Sequence, residues 1–238
     1  MTHQFYDNGG YVVAMSHAGD TTAGPASSIA AYQAAFDLGF RYFQVDVVQV
    51  GGGQLVAGHA VFGRQRGWES RSYDELLDEY PHMATVQDVI DAIPKARWNL
   101  EIKSSYARDA LFDLLDKQHN IQGRFAISAP FHGRILKAAR KRFGVDLCTA
   151  ASLLEGSLIG RPLMPLRTQH ADAVQVMYLL ARSRKMVSNR NAEGIQYQPW
   201  PVNSEKEMAR LIDLGVRGII TDEHHLLKDF LTREGLWR

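Results

Sequence analysis

The sequence predicts an α/β fold, a single (β/α)8 barrel spanning residues 1–238. Three observations carry that expectation. Short apolar runs alternate with stretches of helical periodicity, the pattern of a parallel sheet wrapped in helices. Eight such runs occur, enough to close a sheet on itself: Tyr11–Ser16, Tyr42–Val48, Trp98–Ile102, Phe125–Ser128, Leu147–Ala150, Ala173–Val176, Ile195–Gln198 and Gly218–Thr221. The length of 238 residues is also close to the roughly 250 that eight βα units need. No GxGxxG turn or P-loop favours an open doubly wound sheet instead.

After the first run, Ser28 precedes Ile29, Tyr32, Gln33 and Phe36 at helical spacing, and Gly39 closes that helix. The second run leads into a short insertion, about residues 49–83, with a hairpin arm at Gln54–His59. Thr85-Val-Gln-Asp88 starts the next helix. The basic cluster Lys137–Arg142 lies on a helical pattern and reads as a solvated face. Residues Gly156–Thr168 and Ala181–Gly194 mix glycine, proline and basic residues with weak periodicity, so long loops or short irregular helices at the barrel mouth are expected there. Ser204-Glu-Lys-Glu207 is a capping box leading into Met208, Leu211 and Ile212, with Gly215 as the stop.

An internal repeat supports equivalent units. Asp37-Leu-Gly-Phe-Arg-Tyr-Phe-Gln-Val-Asp46 parallels Asp213-Leu-Gly-Val-Arg-Gly-Ile-Ile-Thr-Asp222. Each is a helix end, a glycine cap, a strand, and an aspartate at the strand's C-terminal end.

A net charge of +1 with scattered basic residues gives no footprint for nucleic acid. The one cysteine, Cys148, cannot form an intrachain disulfide and sits in an apolar run as a buried strand residue. No apolar stretch reaches the roughly 18 residues of a membrane span, and the N-terminus lacks the pattern of a secretory leader. A cytoplasmic protein without membrane insertion is expected, its oligomeric state left open.

Strand side chains alternate, so Gln44 and Asp46 share a face, as do Glu101 and Lys103. Facing the helix layer, they would bury unpaired charge at a cost of several kcal/mol. Facing the lumen at its open end, they can meet each other, water or a metal. Glu101 and Lys103 alone read equally as a structural ion pair or a site. His17 ends the first strand and His59 the hairpin arm, where a pair of imidazoles can serve as acid and base. His224 and His225, opening the last helix, read as exposed.

From about Val12 to Leu227 the chain resembles the glycerophosphodiester phosphodiesterase family, whose fold is the barrel of phospholipase C-like phosphodiesterases. The matches are SHAG at Ser16–Gly19, SSIAAYQAAFDLGF at Ser27–Phe40, QVDV at Gln44–Val47, GHA at Gly58–Ala60, NLEIK at Asn99–Lys103, SAPF at Ser128–Phe131, WPVN at Trp200–Asn203 and DLGVRGIITD at Asp213–Asp222. Singly these are weak; eight in order are specific.

The resemblance implies a metal-dependent hydrolysis of a small glycerophosphodiester to an alcohol and glycerol phosphate. In that scheme Gln44, Asp46 and Glu101 hold a divalent cation, Mg²⁺ or Ca²⁺. His17 and His59 act as acid and base in an order the sequence does not set, and Lys103 stabilises phosphoryl charge. Trp200 lines the substrate groove or packs at the rim. Four family positions are replaced here, by Ala18, Ala26, Gln44 and Ala60. Ala18 removes a guanidinium, for which Arg64 or Arg66 is the candidate substitute. Gln44 costs the metal one of three negative charges, so weak binding is expected. These losses leave two alternatives, an impaired relative that binds a phosphorylated ligand, or a headgroup enzyme that releases a cyclic phosphate.

Overall fold

A computed structural model describes residues 2–58, 67–103, 106–130, 133–153 and 171–238. Eight parallel strands form the wall: β1 Val13–His17, β2 Tyr42–Gln49, β5 Arg97–Ile102, β6 Phe125–Pro130, β7 Cys148–Leu153, β8 Ala173–Met177, β9 Gln196–Trp200 and β10 Gly218–Thr221. They neighbour one another in the order β10-β1-β2-β5-β6-β7-β8-β9. Two short antiparallel strands, β3 Leu55–Ala57 and β4 Ala84–Thr85, attach to β2.

No ladder joins β9 to β10 among the described residues. Their seam is drawn together by the Val202 N–H on the Ile220 carbonyl at 2.9 Å and the Thr221 hydroxyl on the Val202 carbonyl at 2.8 Å. Gly218 allows this approach, because a Cβ there would meet Gln198 Cγ at 2.9 Å. The wall is therefore a barrel with one loosely zipped edge.

The helices are α1 Ile29–Leu38, α2 Tyr73–Leu77, α3 Val86–Ala92, α4 Ala107–Asp116, α5 Ile121–Arg124, α6 Gly133–Phe143, α7 Arg184–Ala192, α8 Glu205–Asp213 and α9 His224–Arg233. Their starts follow local chemistry. The Ser28 hydroxyl accepts the Ala31 N–H, and Gly39 takes a left-handed φ of 115° to end α1. Thr85 and Asp88 exchange both bonds of a capping box at α3. At α8 only half of the expected box forms. Ser204 caps the Glu207 N–H, but the Glu207 carboxylate turns to Arg210 at 2.7 Å instead of back to the chain.

The expectation of loops or irregular helices across Ala181–Gly194 is corrected. Residues Arg184–Ala192 form a regular helix capped by Ser183. Only Val187 is buried in it, so the sequence carries almost no helical periodicity there. The Gly156–Thr168 segment lies outside the described residues.

Alternation along the strands separates two cores. Val45, Val47, Leu100, Ile102 and Ile127 face the helices, where Trp98 meets Tyr32 and Phe43 at ring separations of 5.5 and 5.1 Å. Val13, Met15, Tyr42, Ala126, Cys148 and Ile220 face inward, and Phe5 and Tyr6 plug the N-terminal end of the lumen against them. Arg97 pins this plug by donating to the carbonyls of Phe5 at 2.6 Å and Asp7 at 2.9 Å. Cys148 is buried, as its apolar run implied. The cluster Lys137–Arg142 pairs with acids on neighbouring elements, Arg140 with Asp172 and Arg142 with Asp113. Residues between β2 and β5 add a satellite core around Val56, Trp68 and Leu76. Among the described residues no helix is long and apolar enough to cross a membrane.

Candidate active site

With the N-terminal end plugged, polar lumen side chains gather at the C-terminal ends of β1, β2 and β5. The register sets His17 beside Gln44, and Asp46 beside Glu101. Gln44, Asp46 and Glu101 are each less than a tenth exposed. Lys103, just past β5, is held by its N–H on the Val47 carbonyl at 3.3 Å. Its ammonium lies 2.6 Å from Glu101 Oε1 and 3.1 Å from Asp46 Oδ1. The Gln44 amide donates to Glu101 Oε2, closing the group.

Two buried carboxylates side by side repel, and Lys103 is the charge that lets them coexist. Burial raises the Glu101 pKa, against the pull of Lys103 and with the push of Asp46, to a net value above the ordinary glutamate. For Lys103 burial opposes the charge, but Glu101 and Asp46 outweigh it and keep the ammonium protonated.

His17 belongs to the same mouth. Its Nδ1 lies 2.6 Å from Asp222 Oδ1. Asp222 in turn accepts from Asn203 Nδ2 at 2.7 Å, and its own N–H donates to Asn203 Oδ1 at 3.0 Å. A carboxylate can only accept from Nδ1–H, so this contact fixes the tautomer with its proton on Nδ1. Burial works to lower the His17 pKa; the Asp222 bond and the charges of Asp46, Asp222 and Glu101 overcome it and raise the net value.

Of the residues singled out from the sequence, the structure brings together His17, Gln44, Asp46, Glu101 and Lys103. Trp200 ends β9 and is half-buried against the inward-facing core. His59, Arg64 and Arg66 lie outside the described residues. Asp222 and Asn203 were not singled out, although the Asp46/Asp222 repeat carried the signal for the first. One expectation is corrected: His224 is buried, not exposed, bonded to Ser16 Oγ at 2.7 Å and edge-on to Phe40. Ser16 points into the helix layer because His17 points into the lumen, and His224 at the start of α9 is the partner that satisfies it. His225 is exposed, with Asp20 at 3.1 Å.

Residues 17–226 match the profile described as "Glycerophosphoryl diester phosphodiesterase family". The chain belongs to that family. It is a family of phosphoric diester hydrolases, and its barrel is the fold seen here.

Among related proteins, "Probable glycerophosphodiester phosphodiesterase 2" of Mycobacterium tuberculosis is 29% identical over 99% of this chain and 96% of its own length. A glycerophosphodiester phosphodiesterase of Caldanaerobacter subterraneus is 25% identical over 93% of this chain and 98% of its own. An Oleispira antarctica phosphodiesterase, solved with its product sn-glycerol-3-phosphate, superimposes with a TM-score of 0.79. It is 17% identical and covers 93% of this chain and 97% of that one.

Against the family pattern, the replaced position at Gln44 now has a physical meaning. Its amide nitrogen gives Glu101 a hydrogen bond that an ionised glutamate could not give.

Proposed function

We propose that the protein hydrolyses a glycerophosphodiester, releasing an alcohol and glycerol phosphate, and does so in the cytoplasm. The observation that carries this reading is the convergence of Asp46, Glu101 and Lys103 with the His17–Asp222 pair at one barrel mouth. The matching family and the product held by the Oleispira antarctica relative support the substrate class. The lone, buried cysteine suits a reducing compartment.

In this reading water attacks phosphorus, one histidine accepts its proton, and the other protonates the departing alkoxide. His17 acts through Nε2, held in that tautomer by Asp222, and His59 is proposed as its counterpart. Lys103 donates to a phosphoryl oxygen as charge moves onto it. Arg64 and Trp200 are proposed to contact the substrate.

A divalent cation, Mg²⁺ or Ca²⁺, is proposed at Gln44, Asp46 and Glu101. Among the described residues no three of His, Cys, Asp and Glu are grouped to hold an ion, and the set proposed here takes the Gln44 amide as its third donor. The three side chains fit such a cation because Lys103 already finds two of them within reach of one positive charge. Turning the Gln44 amide would offer its oxygen in place of the nitrogen that now faces Glu101. When bound, the ion would supply Lewis-acid stabilisation of phosphoryl oxygens.

The internal neutralisation by Lys103 and Gln44 favours a second reading, a family relative that binds a phosphorylated ligand without turnover. Incubating the purified protein with glycerophosphocholine and glycerophosphoethanolamine, and following glycerol phosphate release with and without Mg²⁺, separates the two. Release supports the hydrolase, binding without release the second reading. A cyclic phosphate product would indicate intramolecular attack by a substrate hydroxyl.

A further inference from the structure

Opposite the candidate active site, at the N-terminal ends of β1, β2 and β5, lies a cavity of about 410 Å³. Arg41, Lys95, Arg97 and Arg238 line it, over a floor that includes Phe40 and Trp237. The two ends are separated along β5 by the step from Arg97 to Glu101, roughly 13 Å of strand.

The charge here is unusual for this molecule. Seven arginines elsewhere pair with carboxylates: Arg71, Arg108, Arg140, Arg142, Arg190, Arg210 and Arg233. No ion pair among the described residues involves any of the four cations at this cavity. A chain whose net charge is only +1 thus sets four positive side chains without a direct ion pair in one concavity. Asp7 is an acid near them; burial pushes the Tyr42 hydroxyl up and Asp7 adds to that push, while the Asp7 Oδ1 accepts the Gly9 N–H at 3.2 Å.

Two of the cations are also preorganised. Arg41 donates through Nη1 to the carbonyls of Phe36 at 2.9 Å and Phe40 at 2.8 Å. Arg97 makes its bonds to the N-terminal plug and to the Tyr42 hydroxyl through Nη1 as well. Each guanidinium is therefore fixed at one nitrogen, with its remaining N–H donors available for an acceptor. Guanidinium forks of this kind suit phosphate oxygens, and the Phe40–Trp237 edge-to-face pair, 5.1 Å between centroids, offers an apolar surface beside them. The volume is that of a small-molecule site.

We propose that this cavity binds a small organic phosphomonoester, its dianion on the arginine and lysine rim and its organic group against Trp237. A phosphate on a lipid headgroup shares that chemistry, but a concavity with an apolar floor favours a free molecule over a flat bilayer.

The test uses phenyl phosphate, inorganic phosphate and phosphatidylglycerol vesicles as probes. Each is titrated calorimetrically into Lys103→Ala protein, which removes one cation from the barrel mouth. The same background then carries Lys95→Gln and Arg238→Gln, exposed positions whose loss should leave the melting temperature unchanged. Saturable phenyl phosphate binding, stronger than that of inorganic phosphate and weakened about tenfold or more in the triple variant, is expected. No saturable binding, equal affinity for inorganic phosphate, binding to vesicles alone, or an affinity indifferent to Lys95 and Arg238 would each overturn the proposal. Absence of hydrolytic activity would leave it standing, since Arg41, Lys95, Arg97 and Arg238 lie at the opposite end of the barrel from the mouth.

Discussion

Asp222 is proposed to act on the reaction through His17, and its effect on that ring is measurable. By raising the His17 pKa it favours the protonated, folded state. That contribution is complete below about pH 6.5, the ordinary histidine value, and is lost as pH rises through the raised folded value. Asp222→Asn should lower the His17 pKa, read by NMR titration of the ring. It should also destabilise the protein more near about pH 5.5 than above the folded pKa. An unmoved His17 titration would contradict the assigned role. Gln44 invites the opposite change. Gln44→Glu exchanges a donor on Glu101 for a third carboxylate, so the metal-free variant should melt earlier and bind Mg²⁺ or Ca²⁺ about tenfold or more tightly. Calorimetry showing unchanged or weaker affinity would remove residue 44 from the proposed ligands. Residues such as Gln44, Asp46, Glu101 and Lys103 were legible because strand alternation alone sends them to one face. Asp222 was half legible, marked by a repeat but not by its partner. His224 was not, since its burial depends on Ser16, more than two hundred residues away.

At the level of elements, the turn from β1 into α1 is the tightest joint near the site. Gly19 has a φ of 83°, and a Cβ there would fall 2.6 Å from the Ala31 carbonyl carbon. Both the backbone conformation and the contact exclude a side chain, so Gly19→Ala should cost about 3 kcal/mol or more in chemical denaturation. Its neighbour Ala18 also has a positive φ, 56°. Ala18→Gly relieves that strain and should be neutral or stabilising, by up to about 1 kcal/mol. Equal losses at both positions would contradict this account of the joint. The eight wall strands could be read from sequence because buried parallel strands are continuous apolar runs. Helix α7 could not, because one buried residue leaves no stripe to detect. The Glu207 side chain shows a further limit: a capping-box spacing permits the reciprocal bond, while Arg210 competes for the same carboxylate.

For the whole molecule, Phe5 and Tyr6 plug the lumen at one end and the carboxylate–lysine group lines it at the other, which sets the candidate active site at the C-terminal mouth. The fold was legible as a whole because its units repeat; the mouth was legible only in part, since Asp222 reaches His17 from a strand end about two hundred residues away. Lys103 is the residue on which the functional account turns, because it joins both carboxylates and is the cation proposed to meet a phosphoryl oxygen. Removing such a preorganised donor commonly lowers turnover about 10²–10³-fold, or roughly 3–4 kcal/mol. The most direct test is therefore glycerol phosphate release from a glycerophosphodiester by the wild type and by Lys103→Ala, with both melting temperatures recorded. The account predicts release by the wild type and a loss of about 10²–10³ in the variant while it remains folded at the assay temperature. A variant that melts much earlier yet turns over at the wild-type rate would contradict it, as would a wild type that releases no glycerol phosphate.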